Sequence, residues 1–388
     1  MASPVLSVQK HTLTISGGSA TDDTAALTGS PTTANCIPFV STRVVTTGSN
    51  PDEFSAYAVR ADFTGGDTVR VTTANRDLAS REIVCEVTVV EFNPAEVNVY
   101  QGQGEFDGSE TLVLNDPYGA SVDVVLAKSF LYFTYTTDNS SEQWVQHNIR
   151  GVMTDADTLT FDAINNQGEA GVDASLVNWY VAEAINTAWA VDHVAIQLSG
   201  AQTTNTDTFT AVDDGKTCVF GSYKGSSGST DTDGCQENTI DVTLTDSGGD
   251  TWDTVTATRL LAVGIIDWAG CVVELAGNEN VYRGQLTTTN ASPDTGTSRT
   301  ITTAVTEADS MVHTCGMTGI LGGSGNDDAN SDDVPAVFYA WTFASSTLVD
   351  CEHYTGQSNF QAADVTWEVI EWDVGGAPPA TRRVMVIS

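Results

Sequence analysis

The chain has 388 residues, a length that suits two to four domains of ordinary size. It carries 51 acidic against 15 basic side chains, a formal net charge of −36. A charge of this sign and size disfavours nucleic acid and anionic membranes as partners. It is typical of proteins that stay soluble in high salt, so we expect a halophilic source; calcium bound in Asp-rich loops is the alternative.

The composition and the regular spacing of turn-forming residues indicate an all-β protein. Thr, Gly, Asp, Val and Ala dominate, and clusters of Gly, Asp, Asn and Ser interrupt β-branched runs every 8–12 residues or so, as in sandwiches and barrels. The fold class that we predict is a tandem array of antiparallel β-sandwich domains of jelly-roll or lectin-like type. The start at Met1 lacks the pattern of a signal peptide, and no run of 18 apolar residues exists, so we expect neither ordinary secretion nor membrane insertion.

The same elements recur four times in the same order. Each unit opens with a short strand, near Leu6, Val97, Val194 and Asn280. A polar stretch and a second apolar strand follow, the latter near Cys36, Ser129, Thr217 and Ser310. A loop that differs between units comes next, and then a hairpin, with turns at Gly65–Asp67 and Asp155–Asp157 in the first two copies. We expect the variable loops to lie at equivalent positions and to mark the binding face, although neutral drift explains them equally well.

A strand with alternating apolar residues closes each unit and ends on an acidic residue. The four segments begin at Ile83, Leu176, Arg259 and Asp364, and their acids are Glu91, Glu183, Asp267 and Glu371. Counting back by twos from each acid gives one buried face. The predicted domains are therefore residues 1–92, 93–185, 186–268 and 269–374, with 375–388 as a C-terminal linker and a strand that could pair with another subunit.

The four acids are the functional-type residues that recur in every unit. Their parity places them on the apolar face, where an unpaired charge is costly, so we expect backbone N–H groups, hydroxyls or arginines to bind them. Arg60 and Arg150 are candidate partners. The role that we favour is structural; metal binding and catalysis are the alternatives.

The seven cysteines allow three bridges within units. The candidate pairs are Cys36 with Cys85, Cys218 with Cys235, and Cys315 with Cys351; buried free thiols are the equal alternative. Two segments, 230–234 and 323–333, are rich enough in Asp and Asn to suggest calcium, but neither has the helix–loop–helix spacing.

The chain shows few patterns that indicate catalysis. The five histidines share no repeat position and no metal-ligand spacing, and the sequence has neither a GxSxG elbow nor a phosphate loop. We therefore expect a protein that is not an enzyme and has no required cofactor. A glycan-cleaving site shared between copies is left open.

The repeat resembles modules of virion proteins from tailed bacterial and archaeal viruses. The residues that carry the likeness are the junction VTVVEFNPAEVNVYQGQG, from Val87 to Gly104, and the last closing strand, VTWEVIEWD. The arrangement is also similar to H-type lectins, which are six-stranded sandwiches that often trimerise. The resemblance implies a head decoration, turret, tail fibre or spike, assembled in the host cytoplasm and exposed on the particle.

The expected partners follow from this resemblance. They are other virion proteins, two further copies of the chain in a homotrimer, and a glycan or protein of the host surface, bound by several weak sites along one rigid rod. Three alternatives stay open: a carbohydrate-binding lectin, a cellular adhesin or extracellular filament subunit, and a tail enzyme that depolymerises polysaccharide.

Overall fold

The structure is a computed structural model, and it confirms the all-β fold class. It describes residues 2–16, 21–46, 57–74, 82–106, 109–114, 121–137, 148–163, 175–225, 239–246, 251–259, 262, 264–287, 297–314, 319–320, 339–353 and 363–374. Within these ranges the chain forms 25 strands and four single-turn 3₁₀ helices, called 3₁₀ turns below.

The strands fall into four sets with a common order. Unit 1 contains β1 (Val5–Ser16), β2 (Asp22–Ala26), β3 (Cys36–Thr46), β4 (Val59–Thr64), β5 (Thr68–Thr73) and β6 (Glu82–Phe92). Unit 2 contains β7 (Val97–Phe106), β8 (Ser109–Val113), β9 (Ser129–Thr136), β10 (Arg150–Asp155), β11 (Thr158–Asp162) and β12 (Ser175–Ala184). Unit 3 contains β13 (Trp189–Leu198), β14 (Thr204–Asp213), β15 (Thr217–Lys224), β16 (Asp241–Thr245), β17 (Thr251–Thr258) and β18 (Ile266–Leu275).

Unit 4 has the same order with one short addition. It contains β19 (Asn280–Thr287), β20 (Thr297–Thr300), β21 (Ser310–Thr314), β22 (Gly319–Ile320), β23 (Tyr339–Ser345), β24 (Leu348–His353) and β25 (Ala363–Glu371). A 3₁₀ turn precedes the third strand of each unit; the four are Thr33–Asn35, Leu126–Lys128, Asp214–Lys216 and Glu307–Asp309.

The closing strand of unit 3 lies later in the chain than the sequence suggested. The predicted boundary at residue 268 falls inside β18, which continues to Leu275. Unit 3 therefore extends to Leu275, and unit 4 begins after it. The other closing strands end close to the predicted boundaries, at Phe92, Ala184 and Glu371.

Each unit is a pair of small antiparallel sheets. The inner sheet joins the first, last and third strands, in the orders β1-β6-β3, β7-β12-β9, β13-β18-β15 and β19-β25-β21. The outer sheet joins the second, fifth and fourth strands, for example β2-β5-β4. The closing strand therefore lies in the middle of every inner sheet.

The closing strand is buried on both of its faces, whereas its sequence pattern predicted one. In β6, Val87 and Val89 pack in the core between the two sheets of unit 1. Val90 and Phe92, which point the other way, belong to a separate core that collects residues from all four units. The chain thus has one core within each unit and one central core that the units share.

Aromatic rings from the third strands of the four units meet near the centre of the ring. The fourth residue after the 3₁₀ turn is aromatic in the third strand of every unit. These residues are Phe39, Tyr132, Phe220 and His313. The ring centroids of Phe39 and Tyr132 lie 4.7 Å apart, and those of Phe220 and His313 lie 4.9 Å apart. Phe39 also stacks on Phe220 of unit 3, at 5.7 Å, so the contact crosses the centre.

Consecutive units contact each other in the same two ways. The first strand of each unit packs on the 3₁₀ turn of the preceding unit, and β1 packs in this way on the turn of unit 4. The fourth strand of each unit packs on the inner sheet of the following unit, and β23 packs on β3 and β6 of unit 1. Because unit 4 meets unit 1 through the same contacts, the units close into a quasi-fourfold ring, not the rod that we expected.

Hydrogen bonds repeat across the ring in the same sense. A side-chain hydroxyl on the third strand accepts a backbone N–H from the fourth strand of the preceding unit. The pairs are Thr134 with Ala61, Ser222 with Gly151, and Ser41 with Trp341, at 2.9, 2.9 and 3.1 Å. The start of unit 1 and the end of unit 4 meet at the closure, where Val5 and Val374 form a parallel β-bridge.

Glycines in the first strands make room for tryptophans on the closing strands. Gly102 and Gly104 lie inside β7. A Cβ atom on Gly102 would lie 2.4 Å from the Trp179 ring, and one on Gly284 would lie 2.6 Å from the Trp367 ring. In unit 3 the tryptophan, Trp268, lies two residues earlier on its strand, over glycines at 221 and 270.

The shared core predicts that the four units unfold together. Phe220→Ala removes a side chain from the central core, and Phe161→Ala removes one from the core of unit 2; each should cost about 3–5 kcal/mol of unfolding free energy. We expect a single urea transition for the wild type and for both variants, monitored by tryptophan fluorescence and by circular dichroism. Two separate transitions in the Phe161→Ala variant would contradict a ring that unfolds as one body.

Candidate functional site

The strand-end carboxylates bind the 3₁₀ turns that precede the third strands. Glu183 Oε1 accepts the backbone N–H of Val125 at 2.8 Å, and its Oε2 lies 3.2 Å from Tyr100 Oη and from Asn98 Nδ2. Glu91 accepts the N–H of Thr32 at 3.0 Å, and Glu371 that of Thr306 at 2.7 Å. The carboxylate thus satisfies a backbone donor beside the turn in each of these units.

A second contact completes this arrangement. The residue after each turn donates from its side chain to the carbonyl of the same backbone residue whose N–H the carboxylate accepts. The donors and acceptors are Cys36 and Thr32, Ser129 and Val125, Thr217 and Asp213, and Ser310 and Thr306. One glutamate and one small donor therefore fix the entrance to the third strand in every unit.

In unit 3 the equivalent acid is Glu274, not Asp267. Glu274 Oε1 accepts the N–H of Asp213 at 3.0 Å, which matches the other three units. Asp267 instead accepts Gln197 Nε2 at 2.7 Å and lies 3.3 Å from Lys224 Nζ. With Glu274 in place, the acids are separated by 92, 91 and 97 residues, a more even period than the sequence pattern suggested.

The two candidate arginine partners do not bind the strand-end acids. Arg150 forms a two-pronged ion pair with Asp162, with both N–O distances 2.9 Å. Arg60 is buried, and its Nε and Nη1 atoms have no hydrogen-bond partner in the structure. Burial lowers the pKa of Arg60, although Asp62 opposes this.

A side chain on each first strand latches that unit to the one before it. Four residues at equivalent positions each reach the carbonyl of the first residue in the preceding unit's 3₁₀ turn. The pairs are Lys10 with Glu307, Gln101 with Thr33, His193 with Leu126, and Arg283 with Asp214. We call these four the latch residues; sequence reasoning missed them because four different residue types share one role.

Opposite the latch residues, in register on the closing strands, lie Thr88, Tyr180, Cys271 and Glu368. In units 3 and 4 these pairs bring reactive or charged groups together. The pattern could have been found from the sequence only by aligning both strands of each unit against the corrected period.

The unit 4 pair belongs to an ion cluster around the fully buried carboxylate of Glu368. Glu368 Oε1 lies 2.9 Å from Arg283 Nη2, and its Oε2 lies 3.2 Å from His313 Nε2. Its Oε2 also accepts the backbone N–H of Val219, in unit 3, at 2.9 Å. Burial opposes the charge, but Arg283, His313 and Val219 together lower the pKa of Glu368 to about 2.

The unit 3 pair places a thiol beside an imidazole. Cys271 Sγ lies 3.6 Å from His193 Nδ1, and His193 Nε2 lies 3.0 Å from the carbonyl oxygen of Leu126. Burial opposes protonation, but Cys271 and the Leu126 backbone raise the pKa of His193 to about 9. No other described cysteine has such a neighbour among the interactions that the structure shows.

These side chains border a cavity of about 570 Å³ on the ring axis. The third strands of all four units line it, through residues that include Phe39, Tyr132, Phe220 and His313, and His193 and Cys271 lie in its wall. A volume of this size is typical of small-molecule sites. None of the described residues in the wall is Asp or Glu, although the chain has 51 of them.

The cavity also adjoins described residues close to the four variable loops, which the sequence places at 48–53, 138–143, 222–234 and 322–333. These loops lie outside the described residues except for 222–225, of which 222–224 end strand β15. Residues that flank the undescribed stretches line the cavity: Ala58, Asn148, Tyr223, Thr314 and Tyr339. At least one end of the undescribed stretch therefore lies at the cavity in every unit.

The structure tests one of the three candidate disulfides. Cys36 pairs in register with Glu91 and Cys85 with Thr42, which puts the two cysteines roughly 20 Å apart along the sheet, too far for a bridge. Both are free and buried. Cys218 and Cys351 are also free and buried, and their candidate partners, Cys235 and Cys315, lie outside the described residues.

Metal binding stays a prediction. The Asp-rich segments 230–234 and 323–333 lie outside the described residues. Within the part of the chain that the structure describes, no group of three or more His, Cys, Asp or Glu could hold a metal ion, and no helix is long and apolar enough to cross a membrane.

Comparison with known proteins adds no family assignment. No protein-family model and no curated protein matches this sequence. The viral and lectin resemblances therefore stay hypotheses that rest on the short motifs of the repeat.

The contact of Glu183 with the 3₁₀ turn predicts a structural role for the strand-end acid. Glu183→Ala leaves the Val125 N–H without its acceptor and should lower the unfolding free energy by about 1–3 kcal/mol. Glu105→Ala, at an exposed position on β7, should change it by less than about 0.5 kcal/mol. Equal melting temperatures for the two variants would contradict this role.

The buried cluster predicts a defined acid sensitivity. The pKa of Glu368 is about 2 in the fold against an ordinary value of 4.5, so its charge stabilises the protein above pH 4.5. That contribution is lost as the pH falls from 4.5 towards 2. Glu368→Gln should cost about 3 kcal/mol at pH 7 because Arg283 loses its buried partner.

Urea unfolding of the wild type and of Glu368→Gln at pH 7, 4.5 and 2.5 checks this prediction. We expect the difference between the two proteins to shrink towards the lowest pH. Glu105→Gln serves as the control, since this residue is exposed. A difference that is the same at all three pH values would show that the charge of Glu368 does not stabilise the ring.

Proposed function

We propose that the chain is a non-enzymatic structural protein of a tailed virus particle, which presents variable loops around one axis for assembly and attachment to the host surface. One observation carries the proposal: in each of the four units, a described residue close to the variable segment lines the same axial cavity. A closed ring with a shared core is a rigid support for such loops.

The electrostatics and the repeat support the same role. The net charge of −36 makes nucleic acid a poor partner and suits a surface protein in salt-rich medium. Four loops on one ring allow several weak contacts with one target, and linked contacts of this kind can raise avidity by about 10²–10⁴ over a single one. The predicted homotrimer would multiply the contacts again.

A carbohydrate-binding lectin is the second candidate, and the cavity wall favours it. Phe39, Tyr132 and Phe220 contribute aromatic rings to the wall, and Ser222 contributes a hydroxyl group. Aromatic faces and a few polar groups are a common wall for small ligands. A cellular adhesin or filament subunit is the further alternative, and the location of the protein separates it from the viral proposal.

Location is tested on material from a culture that produces the protein. Antibody against the folded ring should label the surface of particles that are banded by density and viewed by electron microscopy. Label on the cell envelope without label on particles would overturn the viral proposal and favour the adhesin.

Attachment is tested with a loop exchange. Replacing 226–238 by a Gly/Ser segment of equal length should weaken adsorption of the labelled protein to host cells by about tenfold or more, because one of the linked contacts is lost. The control replaces the turn 65–67 of the outer sheet in the same way and should adsorb like the wild type. Equal adsorption by the 226–238 variant and the wild type would count against loop-mediated attachment, and a glycan array then tests the lectin.

A further inference from the structure

The tautomer of His193 follows from its two contacts. The carbonyl oxygen of Leu126 can only accept a hydrogen bond, so Nε2 of His193 must carry the hydrogen. In the neutral pair Nδ1 bears a lone pair and faces Cys271 Sγ at 3.6 Å, so it can take the thiol proton. The raised pKa of His193, to which Cys271 contributes, then holds that proton on the ring beside the thiolate. The latch to unit 2 therefore orients the imidazole as a base towards the thiol, the arrangement of an activated nucleophile.

The surroundings of Cys271 differ from those of the other described cysteines. Cys271 is 5% exposed, and it lines the axial cavity together with His193, so we infer that a small molecule in the cavity reaches the sulfur. Burial raises the pKa of Cys36 to about 12 and moves the pKa values of Cys85, Cys218 and Cys351 further in the same direction. Those four thiols stay protonated at neutral pH and react slowly.

We propose that Cys271 is a reactive thiol and that the axial cavity admits small uncharged electrophiles and disulfides that modify it, with His193 as the base. The wall of the cavity contains no described carboxylate, so it does not repel the developing thiolate. The proposal goes beyond display and attachment and does not depend on them.

The chemistry balances without a further reactant. The thiol proton moves to His193 Nδ1, and the sulfur attacks one sulfur atom of a small disulfide. A new S–S bond forms as the old one breaks, and the departing thiolate takes the proton from His193. With an alkyl halide, an S–C bond forms, the carbon–halogen bond breaks and halide leaves.

The equivalent position in unit 2 suggests a substitution of His193 that keeps the hydrogen bond to the Leu126 carbonyl. Unit 2 has Gln101 at the position of His193, and its Nε2 donates to the equivalent carbonyl, that of Thr33, at 3.0 Å. His193→Gln therefore preserves a donor to Leu126 and removes the base. His11→Gln makes the same change on β1 of unit 1, outside the cavity wall, and is the matched control.

The experiment exposes the native full chain to iodoacetamide at pH 7 and follows each cysteine by peptide mass spectrometry. We expect Cys271 to be alkylated at least about tenfold faster than Cys36, Cys85, Cys218 and Cys351. His193→Gln should slow Cys271 by about tenfold or more, and His11→Gln should leave its rate unchanged. Exposure to 2-hydroxyethyl disulfide should give the mixed disulfide at the same residue first.

Either of two results would overturn the proposal: Cys271 reacts no faster than the other four, or its rate is the same in His193→Gln. If circular dichroism shows that His193→Gln does not fold, the wild-type rate at Cys271 between pH 6 and 9 decides. An activated thiol keeps much of its rate below the ordinary thiol pKa of about 8.5, whereas a tenfold fall per pH unit there contradicts activation.

Discussion

Burial of the closing strand on both faces is the constraint from which the rest of the architecture follows. Each of β6, β12, β18 and β25 lies in the middle of an inner sheet. One face packs against the unit's own outer sheet, and the other packs in the central core. A sheet with two apolar faces is not stable in water, so each unit needs its neighbours, and the closed ring covers the inner sheet of every unit.

Polar groups at the edges of these sheets then fix how the units meet. The strand-end glutamates hold the 3₁₀ turns, and the latch residues of the next unit bind the carbonyls of the same turns. Each 3₁₀ turn is thus bound both by a carboxylate of its own unit and by a side chain of the next unit. Because the acceptor is a backbone carbonyl, Lys, Gln, His and Arg serve equally well at the latch, and the sequence at that position was free to diverge into the His193–Cys271 and Arg283–Glu368 pairs.

The sequence was enough to predict the all-β class and the inward faces of three closing strands. It failed in unit 3, because the segment before Asp267 has the same alternation as a closing strand, yet Ile265 is exposed and the strand starts at Ile266. In unit 3 the tryptophan is Trp268, and Gly270 stands at the position that tryptophan occupies in units 2 and 4. The register of this strand could therefore not be predicted from the sequence. Ring closure could not be predicted from the sequence. The hydrogen bonds between units join different types of side chain to backbone atoms that are far apart in the sequence.

The bridge between Val5 and Val374 means that the first strand of unit 1 and the last described residue of unit 4 lie side by side. The contacts of the ring do not distinguish a first unit from the others. The junction between unit 4 and unit 1 has the same contacts as the other three junctions, but the chain does not run directly across it. A circularly permuted chain, joined across this gap and opened at the connection after Phe92 instead, retains every sheet and every latch. Four separate copies of one ancestral module could have formed the same ring before any of them were fused.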